Sequence, residues 1–147
     1  MAKVPVILFV DGIKDSIRQV ASFRMSFFQT TDVEGQVTDL PRGGKITMRL
    51  KALNNGNVEL IHWMVDKKKV REGFIEFRDT KTNNLMKQYN FKDAYCVSYT
   101  ETWEDTNKSD SEKSDANLIA HWEEITISCK EIKVDKMDLF KNTWDLV

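Results

Sequence analysis

The sequence predicts a mainly β fold: an antiparallel β-barrel, formed as two tightly packed sheets, with one lateral α-helix and a long extended loop. Three observations carry this expectation. Apolar and polar residues alternate with period two in run after run, one stretch alone switches to helical spacing, and turn-forming clusters divide the apolar runs so that successive strands can pair as hairpins. The 147 residues suit a single domain over 1–147, large enough to bury roughly two-thirds of its unfolded surface around one core.

The elements follow in chain order. Residues 4–10 are apolar and stop at Asp11-Gly12, a turn dipeptide, which makes them a buried strand entering a hairpin. Residues 18–28 form a second strand: Val20, Phe23, Met25 and Phe27 are apolar, and Ser22, Arg24 and Ser26 alternate with the last three. Residues 31–44 then show no sustained period. A loop of this length in a compact domain is either functional or disordered, so function is sought here first. In residues 45–52 the pattern is clear: Ile46, Met48, Leu50 and Ala52 are apolar, while Lys45, Thr47, Arg49 and Lys51 are charged or hydroxylated. One face of that strand meets a core and the other does not.

The period changes after Asn54-Asn55-Gly56-Asn57. The Asn57 side chain can accept a free N–H of a first helical turn, and Leu60, Ile61, Met64 and Val65 share one helical face, so residues 58–66 read as a short helix. Lys67-Lys68-Lys69 then lies at the negative end of its dipole. Strands resume over 72–79, and residues 85–91 and 94–103 give one or two more, with Tyr95, Val97, Tyr99, Glu101 and Trp103 on a common face. Residues 104–117 are polar and low in complexity, hence a mobile surface loop. In the last strand, 118–134, Ile125, Ile127 and Cys129 are odd-numbered and Ile132 and Val134 even-numbered, so a bulge is expected at Lys130-Glu131. The tail, 135–147, holds Met137, Leu139, Phe140, Trp144 and Leu146 and is too apolar to stay undocked.

Charge and chemistry exclude more than they suggest. Lys and Arg number 22 against 23 Asp and Glu, a net charge of −1, which leaves no electrostatic footprint for nucleic acid or an anionic membrane. Cys96 and Cys129 have neither metal nor redox spacing and read as small buried hydrophobes. The first apolar run is too short for a secretory leader. His62 and His121 stand apart from any close-spaced ligand or general-base partner, Glu123 and Glu124 point to opposite faces of a strand, and Gly43-Gly44-Lys45 lacks the upstream glycine of a phosphate loop. No cofactor or metal is expected. A lipocalin-like barrel holding an apolar ligand among Phe, Tyr and Trp side chains is one candidate function, and an enzyme with His62 or His121 as base ranks last.

Several fragments, in order and at their spacing, carry a family resemblance. They are Ser26-Phe27-Phe28-Gln29-Thr30-Thr31-Asp32, Gly35, Gly43-Gly44-Lys45-Ile46, Leu60-Ile61-His62-Trp63-Met64, residues 91–101, and Ile125-Thr126-Ile127-Ser128 leading to Glu131-Ile132-Lys133. Together they span most of 4–134, and the chain resembles the haemolysin-coregulated protein family (Hcp/TssD), the tube protein of type VI secretion, in its Bacteroidetes-type branch. The resemblance implies a barrel subunit that forms hexameric rings stacked into the hollow inner tube of a contractile machine. Its implied partners are a surrounding sheath, a spike at the tip and effector proteins in the lumen, with no active site. It further implies assembly in the bacterial cytoplasm and export through the machine without a signal peptide. On that footing residues 31–44 are expected to reach the neighbouring ring, with Asp32, Glu34, Gly35, Asp39, Arg42, Gly43 and Gly44 at the contact. Lys45, Thr47, Arg49 and Lys51 are expected to face the lumen or an adjacent subunit.

Overall fold

In the computed structural model, residues 5–53, 55–105, 119–135, 137–142 and 144 are described. Among the described residues, seven strands and one helix follow one another as β1 Val6–Val10, β2 Ile17–Phe28, β3 Arg42–Lys51, α1 Glu59–Val65, β4 Arg71–Arg78, β5 Leu85–Asp105, β6 Ile119–Val134 and β7 Met137–Lys141. All pairings are antiparallel, in the order β3-β2-β1-β4-β5-β6-β7, and a further β3–β6 pairing joins the ends of the series. Six strands therefore close into a barrel, as expected, and β7 extends the sheet beyond the point where β6 leaves β3. The closing ladder runs from Lys45↔Ser128 to Lys51↔Trp122, and β7 takes over at Lys141↔Glu131.

The interior is filled by side chains. Leu8, Val10, Ile46, Met48, Leu50, Ile75, Ile125, Ile127, Cys129 and Ile132 are wholly buried, and a ring cluster of Phe23, Phe77 and Tyr89, with centroids 5.0 to 5.9 Å apart, packs against them. The α1 helix is seated by Leu60 and Trp63, three residues apart, while Val65 is exposed. The buried stripe is thus turned from the expected one, because the largest apolar side chain, Trp63, takes the core and donates its indole N–H to the Lys69 carbonyl at 3.2 Å. Asn57 accepts the N–H of Glu59 at 2.8 Å from one residue outside the cap, because the N-cap position itself is held by Val58 and not by Asn57.

Three irregularities rotate strands midway. Val20 pairs with Leu50 but Ser22 with Arg49, so Ala21 is an extra residue that moves the inward positions of β2 from Arg18 and Val20 to Phe23, Met25 and Phe27. Val97 does the same in β5, between Cys96↔Ile127 and Ser98↔Thr126. Tyr95 consequently points outward, against Trp144 at 5.7 Å, and does not share a face with Tyr99. The bulge expected at Lys130-Glu131 lies instead across the ladder, on β5. Between Arg71↔Ala94 and Gly73↔Phe91, β5 spends two residues, Lys92 and Asp93, where β4 spends one, and Asp93 has φ 53°. The β5–β6 register is unshifted there, so β6 changes face together with β5. Residues 85–105 form a single strand, which takes in 104 and 105; the remainder of the polar segment 104–117 lies outside the described residues.

One polar group of charges is enclosed. The buried Arg18 guanidinium pairs with the buried Glu123 carboxylate and donates to the Lys51 carbonyl at 3.0 Å, and Tyr99 donates its hydroxyl to Glu123 at 2.5 Å. Burial, then the adjacent Glu123 carboxylate, push the Tyr99 phenol well above its ordinary range.

Candidate functional site

Between β2 and β3 the chain leaves the barrel as an arm, residues 29–41, and its order comes from within. Thr31 and Val37 form a β-bridge, and Thr38 donates its N–H to the Thr30 carbonyl at 2.9 Å. Asp32 holds the tip: one of its carboxylate oxygens accepts the N–H groups of Glu34 and Gln36 at 2.9 and 3.0 Å, and its carbonyl accepts that of Gly35 at 3.0 Å. Gly35 turns the tip at φ 88°, with open space where a Cβ would stand. Val33 is fully exposed and Leu40 70% exposed. The arm is thus a small hairpin with an Asp32-Val33-Glu34 crest, which rests on no core of its own.

The base of the arm is braced by a charge pair. Arg42 donates to Asp39 at 2.5 Å while Leu40 N–H donates to the other carboxylate oxygen at 2.7 Å, and this guanidinium, then the N–H, hold the Asp39 carboxyl below its usual range. Arg42, Gly43 and Gly44 were expected in the loop, yet they open β3, opposite Phe28 and Phe27 of β2. Gly44 is the extra residue of a bulge between Ser26↔Lys45 and Phe27↔Gly43, with φ 85°. A Cβ there would lie 2.7 Å from Phe140 Cε2 and 2.9 Å from the Cys129 carbonyl oxygen. Gly44 is buried and shapes the root of the arm.

Beside this root lies β7. Asn142 donates its N–H to the Lys130 carbonyl at 2.6 Å and its side-chain amide to the Cys129 carbonyl at 2.9 Å, and the buried Phe140 ring packs on Phe27 at 5.0 Å. The tail docks on its own barrel over these residues, with Trp144 on Tyr95; Leu146 falls outside the described residues. Between the arm base and β7 is an open cleft of about 410 Å³ lined by residues 39–42 and 139–142. Sequence reasoning did not single out Leu139 or Lys141 as site residues; the apolar tail was the signal that could have found them.

A second surface lies on the outer side of β2, β3, β6 and β5, where the cross-strand rows align. Ser26, Lys45, Ser128 and Tyr95 form one row; Arg24, Thr47, Thr126 and Ser98 the next; Ser22, Arg49, Glu124 and Thr100 a third. The hydroxyls of Thr47 and Thr126 are 3.0 Å apart, and Arg49 lies over the Trp122 ring at 5.8 Å. Lys45, Thr47, Arg49 and Lys51 therefore stand together on one broad hydroxyl-rich and charged face, with Lys51 next to Trp122. Arms and face do not converge on one reactive centre. His62 is exposed on α1, and His121 sits 2.7 Å from Glu101 at the far end of β6. Cys96 and Cys129 are buried, which pushes the Cys96 thiol up to about 11 and the Cys129 thiol up to about 12. The wholly buried side chains that fill the barrel occupy the space an enclosed apolar ligand would need, against the lipocalin-like alternative.

Comparison with known proteins decides the family. Residues 3–145 match the family described as Hemolysin coregulated protein Hcp (TssD). The chain belongs to this family. Among solved structures it is similar to Hcp1 from Flavobacterium johnsoniae, with TM-score 0.73 and 25% identity over 93% of this chain and 98% of the other. It is also similar to Hcp1 from Salmonella typhimurium, with TM-score 0.63 and 15% identity over 88% of this chain and 83% of the other. A chain of an extracellular contractile injection system, from its sheath-tube complex in the extended state, shares the fold at TM-score 0.50 and 18% identity over 90% and 88%. No curated protein sequence matches. Hcp membership supports a tube-subunit role in type VI secretion and export through that machinery, and the family is one of structural tube proteins. Among the described residues no helix is long and apolar enough to cross a membrane.

Proposed function

We propose that this Hcp chain is the structural subunit of the inner tube of a type VI secretion machine, assembled as hexameric rings that stack, carry effector proteins in the lumen and are driven forward by a contracting sheath behind a spike. The observation that supports it most is the arm. A closed barrel has few edges to offer a partner, whereas residues 29–41 project from it already folded on their own bonds, so that engaging another copy freezes few additional degrees of freedom. Asp32, Glu34, Gly35, Asp39 and Arg42 belong to the ring-to-ring contact in this reading, with Gly43 and Gly44 as its rigid root. The face bearing Lys45, Thr47, Arg49 and Lys51 is wet and polar, suited to the lumen or to a neighbouring subunit. A net charge of −1 lets identical rings approach without strong mutual repulsion.

The test is to replace residues 32–39 by a short Gly-Ser connection, which leaves both flanking strands in place. Native mass spectrometry is expected to show ring-sized oligomers and electron micrographs to show discrete rings without tubes. Tubes of unchanged length and number would overturn the role of the arm, and a monomeric wild-type chain would overturn the tube reading itself.

A further inference from the structure

We propose that the tip of the arm in one copy seats in the cleft between the arm base and β7 of a copy in the adjoining ring, so that each chain carries both halves of its stacking contact. This rests on the tube-subunit reading and supplies the receptor that reading lacks. The tip is a narrow crest, Asp32-Val33-Glu34, with a fully exposed apolar side chain between two carboxylates. The cleft is its counterpart. Its walls expose Leu40 at 70% and Leu139 at 46%, Phe140 closes its floor, and Lys141 stands at its rim.

Charge selects this pairing over the alternatives. Arg42 is matched by Asp39 within the cleft, so Lys141 leaves the site with one net positive charge, and no ion pair to Lys141 occurs among the described residues. Two tips brought together would oppose four carboxylates, and two clefts would oppose two lysines; tip to cleft is the complementary combination. When copies add in one direction, tip-to-cleft contacts leave a free tip at one end and a free cleft at the other, so the contact can be repeated along a stack of rings. Among the described residues β7 pairs with β6 and with no second strand, so one edge of it is an open strand edge.

The experiment uses two single variants, Val33→Cys and Leu139→Cys, each prepared as separate rings. Cys96 and Cys129 are 4% and 0% exposed, so oxidation reports on the introduced thiols. After mixing and mild oxidation, a non-reducing gel is expected to show a dimer band that exceeds by at least tenfold that of either variant alone. Placing Glu34→Lys on the first variant should abolish the band, and adding Lys141→Glu to the second should restore it. A mixture of rings with no dimer band, stacked or not, overturns the seating while leaving the tube subunit intact as a reading. A dimer band that ignores both charge changes overturns the complementarity. A chain that forms no rings overturns both proposals.

Discussion

Alanine at Gly44 and, separately, at Gly35 separates two costs that glycine avoids. Both residues have similar left-handed backbone, φ 85° and 88°, but Gly35 has open space around a new Cβ while Gly44 has the Phe140 ring at 2.7 Å and the Cys129 carbonyl at 2.9 Å. The left-handed conformation costs a side chain about 1 to 2 kcal/mol, partly offset by the stiffer unfolded chain. That is the whole effect expected at Gly35. At Gly44 the carbonyl is backbone and cannot swing away, so an overpacking penalty of about 1 to 3 kcal/mol is added. The sum, about 2 to 4 kcal/mol, converts at roughly 2 to 4 °C per kcal/mol for a chain of this size into a fall in melting temperature of roughly 5 to 15 °C. Gly35→Ala should move it by less than about 4 °C. Far-ultraviolet circular dichroism at one fixed protein concentration measures both, since assembly makes melting concentration-dependent. Equal shifts for the two variants would refute the claim that β7 is packed against the root of the arm.

The enclosed charges give two more expectations. Glu123→Ala leaves the Arg18 guanidinium buried without its carboxylate and should cost about 3 to 5 kcal/mol in urea unfolding, with much of the loss recovered when Arg18→Met is added. Tyr99 contributes on the alkaline side. Its folded-state pKa is raised by burial and by Glu123, so the folded chain keeps a proton that the unfolded phenol releases; stability is unaffected by this group below about pH 10 and falls above it by at most about 1.4 kcal/mol per pH unit. Denaturation midpoints between pH 9 and 11.5 should fall less steeply in Tyr99→Phe.

Strand existence was legible wherever one parity persists. In β3 the even residues Ile46, Met48 and Leu50 are wholly buried, because a strand with one dry face must repeat every second residue. The pattern was less informative where an extra residue rotates the strand: Ala21 and Val97 leave no residue-type signature, so the outward direction of Tyr95 could not be read. The parity slip in β6 was visible, but its cause is the Lys92-Asp93 bulge on a strand paired across a long stretch of chain. The helix was placed within a residue at each end, yet its buried face followed Trp63, whose bulk outweighs the aliphatic stripe. For the site, the arm announced itself by its length and lack of period. Its neighbour β7 did not, because the meeting of Gly44 with Phe140 depends on a pairing between Lys130 and Asn142 that local sequence does not specify.

The strand that closes the barrel, β6, leaves the ribosome after β1 to β5. Until residues 122–128 emerge and settle alongside 45–51, the first half of the molecule has no mate for one flank of β3, and β5 and β3 both await the same later strand. A nascent chain that stops before residue 122 therefore lacks the strand that closes the barrel, and one flank of β3 stays unpaired.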